Sequence, residues 1–417
     1  MKDLATGGFS HAQIYDALHG RSGTRQVKFR YDLIRDGVTI GQLPVIDASI
    51  RFQKYDSIKR TARFSLGEDT RINWLADQIK PYMLVRMPDK ETIKIQYDRT
   101  WGDLAAYGTW ENLAAQFATW KDVASYTVTD IKREEQWAEF PLGVFIPSSP
   151  SRHFSDGTTY EVEAYDRSVI LREDCITDRL YFPAGTSYYN ALESILVGAG
   201  IDEAMITQTN AVFATDREFE TGESKLDILN QLLVEISYDS VSVNEEGIFV
   251  LHPYVEPSEN RISIWYENDE LSVIGLEADT EMDLYSVPNV FVAIVSNPDY
   301  TKDSTNFEFF RSEYINDNPV SVLSTVRRGR KIVSILNPKN IASQTDLDHY
   351  VRRIAFESSQ VYEQVSFSSA LMPIHGNGEV LGIKHPDING AYEEIGWEME
   401  LSASGEMNHS IRRLMVL

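Results

Sequence analysis

A few side chains near the C-terminus could in principle bind a metal ion. His375 and His385, with Asp387, enclose the glycine-rich stretch from Gly376 to Gly378. Imidazole and carboxylate groups are zinc ligands, but their spacing here matches no standard zinc motif. A lone Gly-x-Gly is also too short to predict a phosphate-binding loop. The sequence therefore predicts a polar hairpin loop at this place, with no metal and no cofactor.

Nucleophilic and acid–base chemistry have equally little support. The chain has a single cysteine, Cys175, and eight scattered histidines, and it contains no Gly-x-Ser-x-Gly elbow. Adjacent carboxylates occur at 202–203, 245–246 and 393–394, but a chain with 63 acidic residues contains such pairs by chance. A glycosidase needs two acids held about 5–10 Å apart across a sugar. We therefore predict no catalytic residues and expect these acids on a solvated surface.

The most regular pattern is a threonine–tryptophan repeat. It places Trp101, Trp110 and Trp120 nine and ten residues apart, each after a threonine and before an Asp or Asn. The threonine can cap a short helix, and the Asp or Asn completes a variant of the capping box. Each helix is too short to bury its tryptophan alone, so neighbouring helices should pack together. Three roles remain open: a local apolar core, a protein–protein anchor and a stacking platform for a sugar.

One basic cluster stands out in an acidic chain. Lys and Arg total 39 against 63 Asp and Glu, a formal net charge of −24, which disfavours binding to a nucleic-acid backbone. An acidic channel would still let DNA pass, because its wall repels phosphate. The cluster comprises Arg327, Arg328, Arg330 and Lys331, which we expect at a hairpin tip or strand edge. It lacks the interleaved aromatics of a single-strand site, and a contact with an acidic neighbouring subunit is the alternative.

These residues need a scaffold, which the hydrophobic pattern predicts to be α+β and mainly β. Residues 27–34 alternate apolar and polar, Asp36-Gly37 predicts a hairpin turn, and short strands follow to residue 164. Helical spacing then appears at 189–199 and again from Ser224, where Asp227 completes a capping pair. Strands return from residue 262, interrupted by one helix that Thr345 and Asp348 are expected to cap.

The same pattern divides the chain into segments. We predict an N-terminal helical arm at 1–24, a first β-barrel or sandwich at 25–175 with the Trp repeat inserted at 98–125, a middle α+β region at 176–258, and a second strand-rich region with one long helix at 259–417. The N-terminus does not resemble a signal peptide, and no stretch approaches 18 apolar residues, so we expect no membrane span. One cysteine excludes an intrachain disulfide and fits folding in a reducing cytoplasm.

The order of these elements, with several short motifs, resembles the baseplate hub proteins of phage tails and related contractile injection machines. Residues 137–145 (WAEFPLGVF) resemble the strand that closes the first barrel of that family, and residues 160–166 (YEVEAYD) resemble the next strand. Residues 222–229 (GESKLDIL) resemble its Gly-x-Ser turn and apolar helix, and the hairpin at 244–257 also fits. The resemblance extends from about residue 25 to the end, and the Trp repeat resembles inserts of some phage tail proteins.

The resemblance implies two tube-like β-barrels per subunit and a homotrimer that forms a pseudo-sixfold ring. Such a ring joins the tail tube or distal tail protein to a spike, fibre or tip protein, and DNA passes through it without specific binding. It implies assembly in the host cytoplasm and a place in the virion tail. Many relatives carry a C-terminal enzyme, which we expect to be absent because this chain stops at Leu417. The alternatives to a non-enzymatic hub are a cell-wall-degrading enzyme and a cell-wall-binding protein.

Overall fold

A computed structural model gives the architecture of residues 4–21, 23–98, 100–124, 127–154, 157–267, 274–282, 285–295, 310–338, 341, 343–360 and 363–414. The chain forms two compact units. One contains residues 1–4, 28–83 and 140–417, and the other contains residues 5–27 and 84–139. Among the described helices, none is both long enough and apolar enough to cross a membrane.

The N-terminal part of the chain contains one helix, the first group of strands and the helices of the Trp repeat. Its elements are α1 (His11–Leu18), β1 (Val27–Arg35), β2 (Val38–Gln42), β3 (Val45–Gln53), β4 (Arg60–Gly67), β5 (Gln78–Asp98), α2 (Trp101–Ala105), α3 (Trp110–Gln116), α4 (Trp120–Ala124), β6 (Thr127–Pro141), β7 (Phe145–Pro147), β8 (Ser151–Phe154) and β9 (Thr158–Asp166).

The middle of the chain alternates helices with very short strands. Its elements are α5 (Ser168–Glu173), β10 (Leu180–Phe182), α6 (Tyr188–Gly198), β11 (Ala204–Ile206), β12 (Arg217–Phe219), α7 (Lys225–Glu235), β13 (Ser242–Val243) and β14 (Phe249–Leu251). Their apolar side chains form one cluster of buried residues that runs from Leu171 to Leu251. Leu229, Leu232 and Leu233 of α7 are fully buried in it, which is the apolar stripe that helical spacing predicts.

The C-terminal part returns to strands around one long helix. Its elements are a 3₁₀ turn (Glu259–Arg261), β15 (Ile262–Glu267), β16 (Ile274–Met282), β17 (Val290–Val295), β18 (Phe310–Ile315), α8 (Thr325–Arg328), β19 (Val333–Leu336), α9 (Gln344–Gln360), β20 (Glu363–Ala370), β21 (Val380–Lys384), β22 (Asn389–Glu400) and β23 (Glu406–Arg413).

One large sheet combines strands from both strand-rich parts. Neighbouring strands follow the order β16, β20, β23, β22, β3, β4, β9, β7, β5, β1, β2. The two parts meet where β22 pairs antiparallel with β3, with Trp397 opposite Phe52. The predicted class, α+β and mainly β, is therefore confirmed. The division into two barrels stays a prediction.

Local capping and turn signals are confirmed at several places. Asp36 and Gly37 both have positive φ, 50° and 75°, as the two-residue turn between β1 and β2 requires. The Ser10–Gln13 capping box starts α1, and the Ser224 hydroxyl accepts from the Asp227 amide at the start of α7.

One local prediction is wrong, and one of the two alternatives for a second is excluded. The long helix α9 begins at Gln344, and its cap is Ser343, whose hydroxyl accepts from the Asp346 amide at 3.1 Å. The predicted cap, Thr345 with Asp348, has the same three-residue spacing as Ser343 with Asp346. Spacing alone therefore does not show which pair starts the helix. The basic cluster is not at a hairpin tip, because Thr325–Arg328 form a helical turn that ends at Gly329 with φ 62°. It directly precedes β19, which agrees with the alternative expectation of a strand edge.

Buried cations lie at the end of the hairpin formed by β3 and β4. Lys54, Lys59 and Arg60 are each at most 7% exposed. The Lys54 ammonium bonds to the Glu393 carboxylate, and the Lys59 ammonium donates to the Ser240 carbonyl at 3.1 Å. Because these partners lie far away in sequence, the hairpin end is held by residues of the middle and C-terminal parts.

Replacing Lys59 by Met should stabilise the protein at neutral pH. Burial lowers the pKa of Lys59 from 10.5 to about 8. Below pH 8 the buried charge therefore lowers the free energy of unfolding by about 3 kcal/mol. The lost bond to Ser240 offsets about 1 kcal/mol of the gain. Above pH 8 the folded state releases this proton before the unfolded state does, so the wild type gains stability as pH rises.

Urea unfolding of both proteins between neutral pH and pH 9.5 measures this effect. The difference between the wild type and Lys59→Met should shrink as the pH rises through about 8. The exposed Lys331 provides the control, because Lys331→Met should give no pH-dependent difference. A constant difference for Lys59→Met would show that the lysine carries no burial cost.

Candidate interaction surfaces and a buried histidine cluster

The four adjacent strands β22, β3, β4 and β9 have one apolar face and one polar face. Successive side chains of a strand point to opposite faces. On one face Ile50, Phe64 and Met399 are buried, whereas the alternating positions on the other face are polar and solvent-accessible. That polar face is lined by Asp47, Ser49, Arg51, Thr61, Arg63, Ser65, Glu161, Glu163, Tyr165, Glu398 and Glu400.

Acidic groups dominate this polar sheet face. It contains five carboxylates and two guanidinium groups among the residues that line it. Glu398 lies opposite Arg51, and Arg63 lies opposite Glu163, with 3.1 Å between their charged atoms. Both members of the second pair are more than half exposed, so the pair adds little stability. The face is therefore hydrated and carries a net negative charge.

The Trp repeat, in the smaller unit, forms three short helices with threonine caps. The Thr100 and Thr119 amides donate to Asp103 and Asp122 at 2.7 and 2.9 Å, and their hydroxyls accept from the same residues. At Thr109 the hydroxyl accepts from the Asn112 amide. The predicted capping variant is confirmed in the two Asp copies, because a short Asp side chain still reaches the cap amide. In the middle copy the threonine half of the cap is present, and the Asn112 side chain donates to the Tyr107 carbonyl at 3.0 Å.

Burial within the repeat falls on its aliphatic positions. Leu113 and Val123 are each 5% exposed, whereas Trp110 and Trp120 are 62% and 54% exposed. The two indole rings contact each other edge to face, with centroids 5.1 Å apart and planes at 73°. Phe117 and Ala114 line the same shallow apolar cleft. The side chain of Trp101 lies outside the described residues. Crossed rings of this kind do not present the flat platform on which one sugar ring stacks.

The basic cluster is held by main-chain carbonyls of its own surroundings. The Arg327 guanidinium donates to Pro319 at 3.0 Å, and that of Arg328 donates to Val287 at 2.6 Å. Arg330 lies over the ring of Tyr285, 5.0 Å from its centroid. Arg327, Arg330 and Lys331 are exposed, and Arg328 is half-buried. The structure therefore presents a positively charged turn at the surface.

Exposed apolar side chains adjoin this basic turn in the sequence. Val326 lies within the turn, and Val333 and Ile335 follow it on β19, and all three are more than half exposed. Among the described strands of its sheet, β19 lies at the edge, because it pairs with β17 and β17 pairs in turn with β18. An edge strand with exposed aliphatic residues is a surface that another chain can cover.

Glu393 and Glu394 contradict the prediction that adjacent acids are solvated. Both are fully buried, because β22 is covered on both faces at this place. Their side chains point to opposite faces, where Glu393 pairs with Lys54 and Glu394 contacts two histidines. Nothing in the local sequence signals this burial, since the covering groups come from distant segments.

Glu394 is the centre of a buried histidine cluster. Its two carboxylate oxygens lie 2.6 Å from His375 Nδ1 and 2.7 Å from His409 Nδ1. On the far side of the rings, the Tyr266 hydroxyl is 2.7 Å from His375 Nε2, and the Ser369 hydroxyl is 2.7 Å from His409 Nε2. Burial lowers the pKa of His409. Removal from water disfavours the charged imidazolium, and the neighbouring Glu394 carboxylate partly opposes this effect.

The predicted polar loop around His375 is only partly correct. His375 is 2% exposed. In the described parts of the chain, His375, Glu394 and His409 lie close enough together to bind one metal ion. His385 and Asp387 are not members of that group. Sequence spacing favours His385 because it is close to His375 in the chain. Strand pairing instead places Glu394 and His409 next to His375.

No model of a known protein family matches this sequence, and no curated protein matches it. Several solved structures are similar to this chain. A tail protein from Neisseria meningitidis MC58 superposes with a TM-score of 0.57 at 10% identity, covering 93% of this chain and 97% of the other. The 43 kDa tail protein of prophage MuSo2 from Shewanella oneidensis gives a TM-score of 0.54 at 9% identity, covering 92% and 98%. The chain shares its fold with these tail proteins. The tail-protein fold thus spans nearly the whole chain, as the resemblance predicts.

Breaking the buried pair between Lys54 and Glu393 should strongly destabilise the tail-protein fold. Lys54→Met leaves the Glu393 carboxylate buried without its cation, which should cost about 3–5 kcal/mol of unfolding free energy. The double variant Lys54→Met/Glu393→Met should lose less than the sum of the single variants, because neither charge is then stranded.

Urea unfolding at neutral pH measures all three variants. The exposed pair of Arg63 and Glu163 gives a matched control, since its removal should change stability by no more than about 1 kcal/mol. Strict additivity of the two buried substitutions would mean that the Lys54–Glu393 contact contributes no coupling energy.

Proposed function

We propose that this protein is a non-enzymatic hub of a phage tail or tail-like particle. In this proposal three copies form a ring, which joins the tail tube or distal tail protein to a spike, fibre or tip protein. The similarity to two tail proteins over more than nine-tenths of both chains supports it. The proposed place of action is the virion tail, after assembly in the host cytoplasm.

The polar sheet face supports a role as the wall of a passage. Its carboxylates repel phosphate, so a duplex in transit would not be retained. Its apolar reverse side anchors it in the core of the larger unit, which keeps the charged side in water. We propose that this face lines the lumen of the ring and that DNA passes it without specific binding.

The basic turn supports contacts between subunits. In a chain with a net charge of −24, a local group of exposed Arg330, Lys331 and Arg327 is complementary to acidic surface on a second copy. A closed ring needs two different surfaces per subunit that fit each other. We propose that this turn, with the exposed edge of β19, forms one of the two.

The Trp repeat is proposed as an anchor for a neighbouring tail component. Trp110 and Trp120 are exposed, whereas Leu113 and Val123 fill the local core. Tryptophans in such a position are typical of protein interfaces. The crossed rings favour an apolar partner side chain over a sugar.

Charge reversal in the basic turn should prevent ring assembly without unfolding the subunit. Arg330→Glu/Lys331→Glu places carboxylates where the acidic neighbour is expected, so association should weaken by at least about tenfold. Light scattering and electron microscopy across a concentration series would report the wild type as an open ring of three 47.4 kDa chains. Arg172→Glu/Arg261→Glu, at exposed sites elsewhere, is the control of equal charge.

Three outcomes would count against this part of the proposal. They are a wild type that stays monomeric up to its solubility limit, a ring of another size, and equal loss of assembly in the control. Melting temperatures of all variants, measured in parallel, should stay close to that of the wild type.

Charge reversal on the polar sheet face should turn it into a DNA-binding surface. Glu161→Lys/Glu163→Lys adds two cations beside Arg51 and Arg63, so duplex affinity at low salt should rise at least about tenfold and fall steeply with added salt. Fluorescence anisotropy with labelled duplex DNA measures this. The exposed pair changed as Asp202→Lys/Glu203→Lys has the same net charge and should bind more weakly. Equal binding by both variants would mean that only net charge matters.

A further inference from the structure

The buried histidine cluster has no role in the proposed hub function. It brings together one carboxylate and two imidazoles from separate segments: His375 between β20 and β21, Glu394 on β22 and His409 on β23. All three side chains are fully buried. One ligand atom from each lies within 4.8 Å of the others. Two histidines and a carboxylate on a common centre form a donor set that late first-row metal ions bind.

Ser369 and Glu394 lie on opposite sides of the His409 ring. Ser369 Oγ is 2.7 Å from His409 Nε2 and 3.0 Å from the Ala370 carbonyl, and a Glu394 oxygen is 2.7 Å from His409 Nδ1. When the Ser369 oxygen accepts from Nε2, the Nδ1 lone pair is directed at the place where an ion shared with Glu394 would lie.

The surroundings hold both rings in the orientation that a ligand needs. In a metal-binding histidine the N–H of the second ring nitrogen donates to an oxygen atom, which fixes the ring. Tyr266 and Ser369 provide those oxygens for His375 and His409. The Phe367 ring also stacks on His409, with centroids 4.5 Å apart and planes at 13°. The rings are thus fixed from behind while both Nδ1 atoms face Glu394.

Binding of an ion requires two adjustments of the cluster. A tetrahedral ion with bonds of about 2.0–2.1 Å separates its ligand atoms by roughly 3.3 Å. The Nδ1-to-oxygen distances of 2.6 and 2.7 Å would open by about 0.6 Å, and the ligand atoms that lie up to 4.8 Å apart would move closer together. We propose that His375, Glu394 and His409 bind a divalent transition-metal ion, for which Zn²⁺ matches the donors best. Because its ligands come from three segments, this ion would tie β22 and β23 to the loop after β20.

Metal content of the purified full chain tests the proposal. Protein produced with added Zn²⁺ and then washed with chelator should retain about one ion per chain, because the site is closed to solvent. Protein refolded with Co²⁺ should show the visible absorption of protein-bound Co²⁺. X-ray absorption at the metal edge should identify two imidazole ligands. Glu394→Gln keeps the shape of the side chain but removes the anionic ligand, so it should lose the ion and melt at a lower temperature.

His385→Gln/Asp387→Asn is the matched control, because it changes a nearby histidine and acid outside the cluster and should retain the ion. If Glu394→Gln fails to fold, the content and spectra of the wild type still decide the question. Folded wild type with less than about a tenth of an ion per chain and no Co²⁺ absorption would overturn the proposal. The cluster would then be held by protons alone. Equal metal content in Glu394→Gln would also overturn it.

Discussion

The burial of charge at the end of the β3–β4 hairpin is the constraint on which the larger unit depends. Lys54 reaches Glu393, and the Arg60 guanidinium reaches Glu245 at 3.1 Å. Taking such groups out of water is costly unless each finds its partner. Sliding β3 by one residue along β22 would also turn its apolar side chains to the wrong face. Burial of these charges and packing of the apolar face thus require the same register.

Much of the local structure could be predicted from sequence because its causes are local. A Ser and a Gln three residues apart are sufficient to start α1, and Asp36-Gly37 has the conformational freedom that its turn needs. The Thr-Trp repeat likewise contains its own capping groups. Alternation shows which residues of a strand share a face. It does not show which strand lies alongside, since that depends on the packing of two distant surfaces.

The candidate sites show the same limit. The basic residues and the Trp repeat are visible in the sequence because their members are neighbours in it. Glu394 and His409 are 15 residues apart and meet only because β22 and β23 pair. At Glu394 the pairing of these strands shifts register, and the next carbonyl, that of Ile395, accepts from the Lys54 amide at 2.9 Å. One irregular stretch of β22 thus joins the histidine cluster to the buried cations, a relation with no signature in residue spacing.

The pairing of β3 with β22 has a consequence for synthesis of the chain. Arg51 leaves the ribosome 347 residues before its partner Glu398. At 5–20 residues per second, the nascent chain carries β3 for roughly 20–70 s before β22 exists. During that time the edge of β3 that later pairs with β22 is open. It can pair with other strands, including β3 of another nascent chain on the same messenger RNA. We therefore expect the charged residues on the polar face of β3 to help keep the unfinished protein soluble until translation ends.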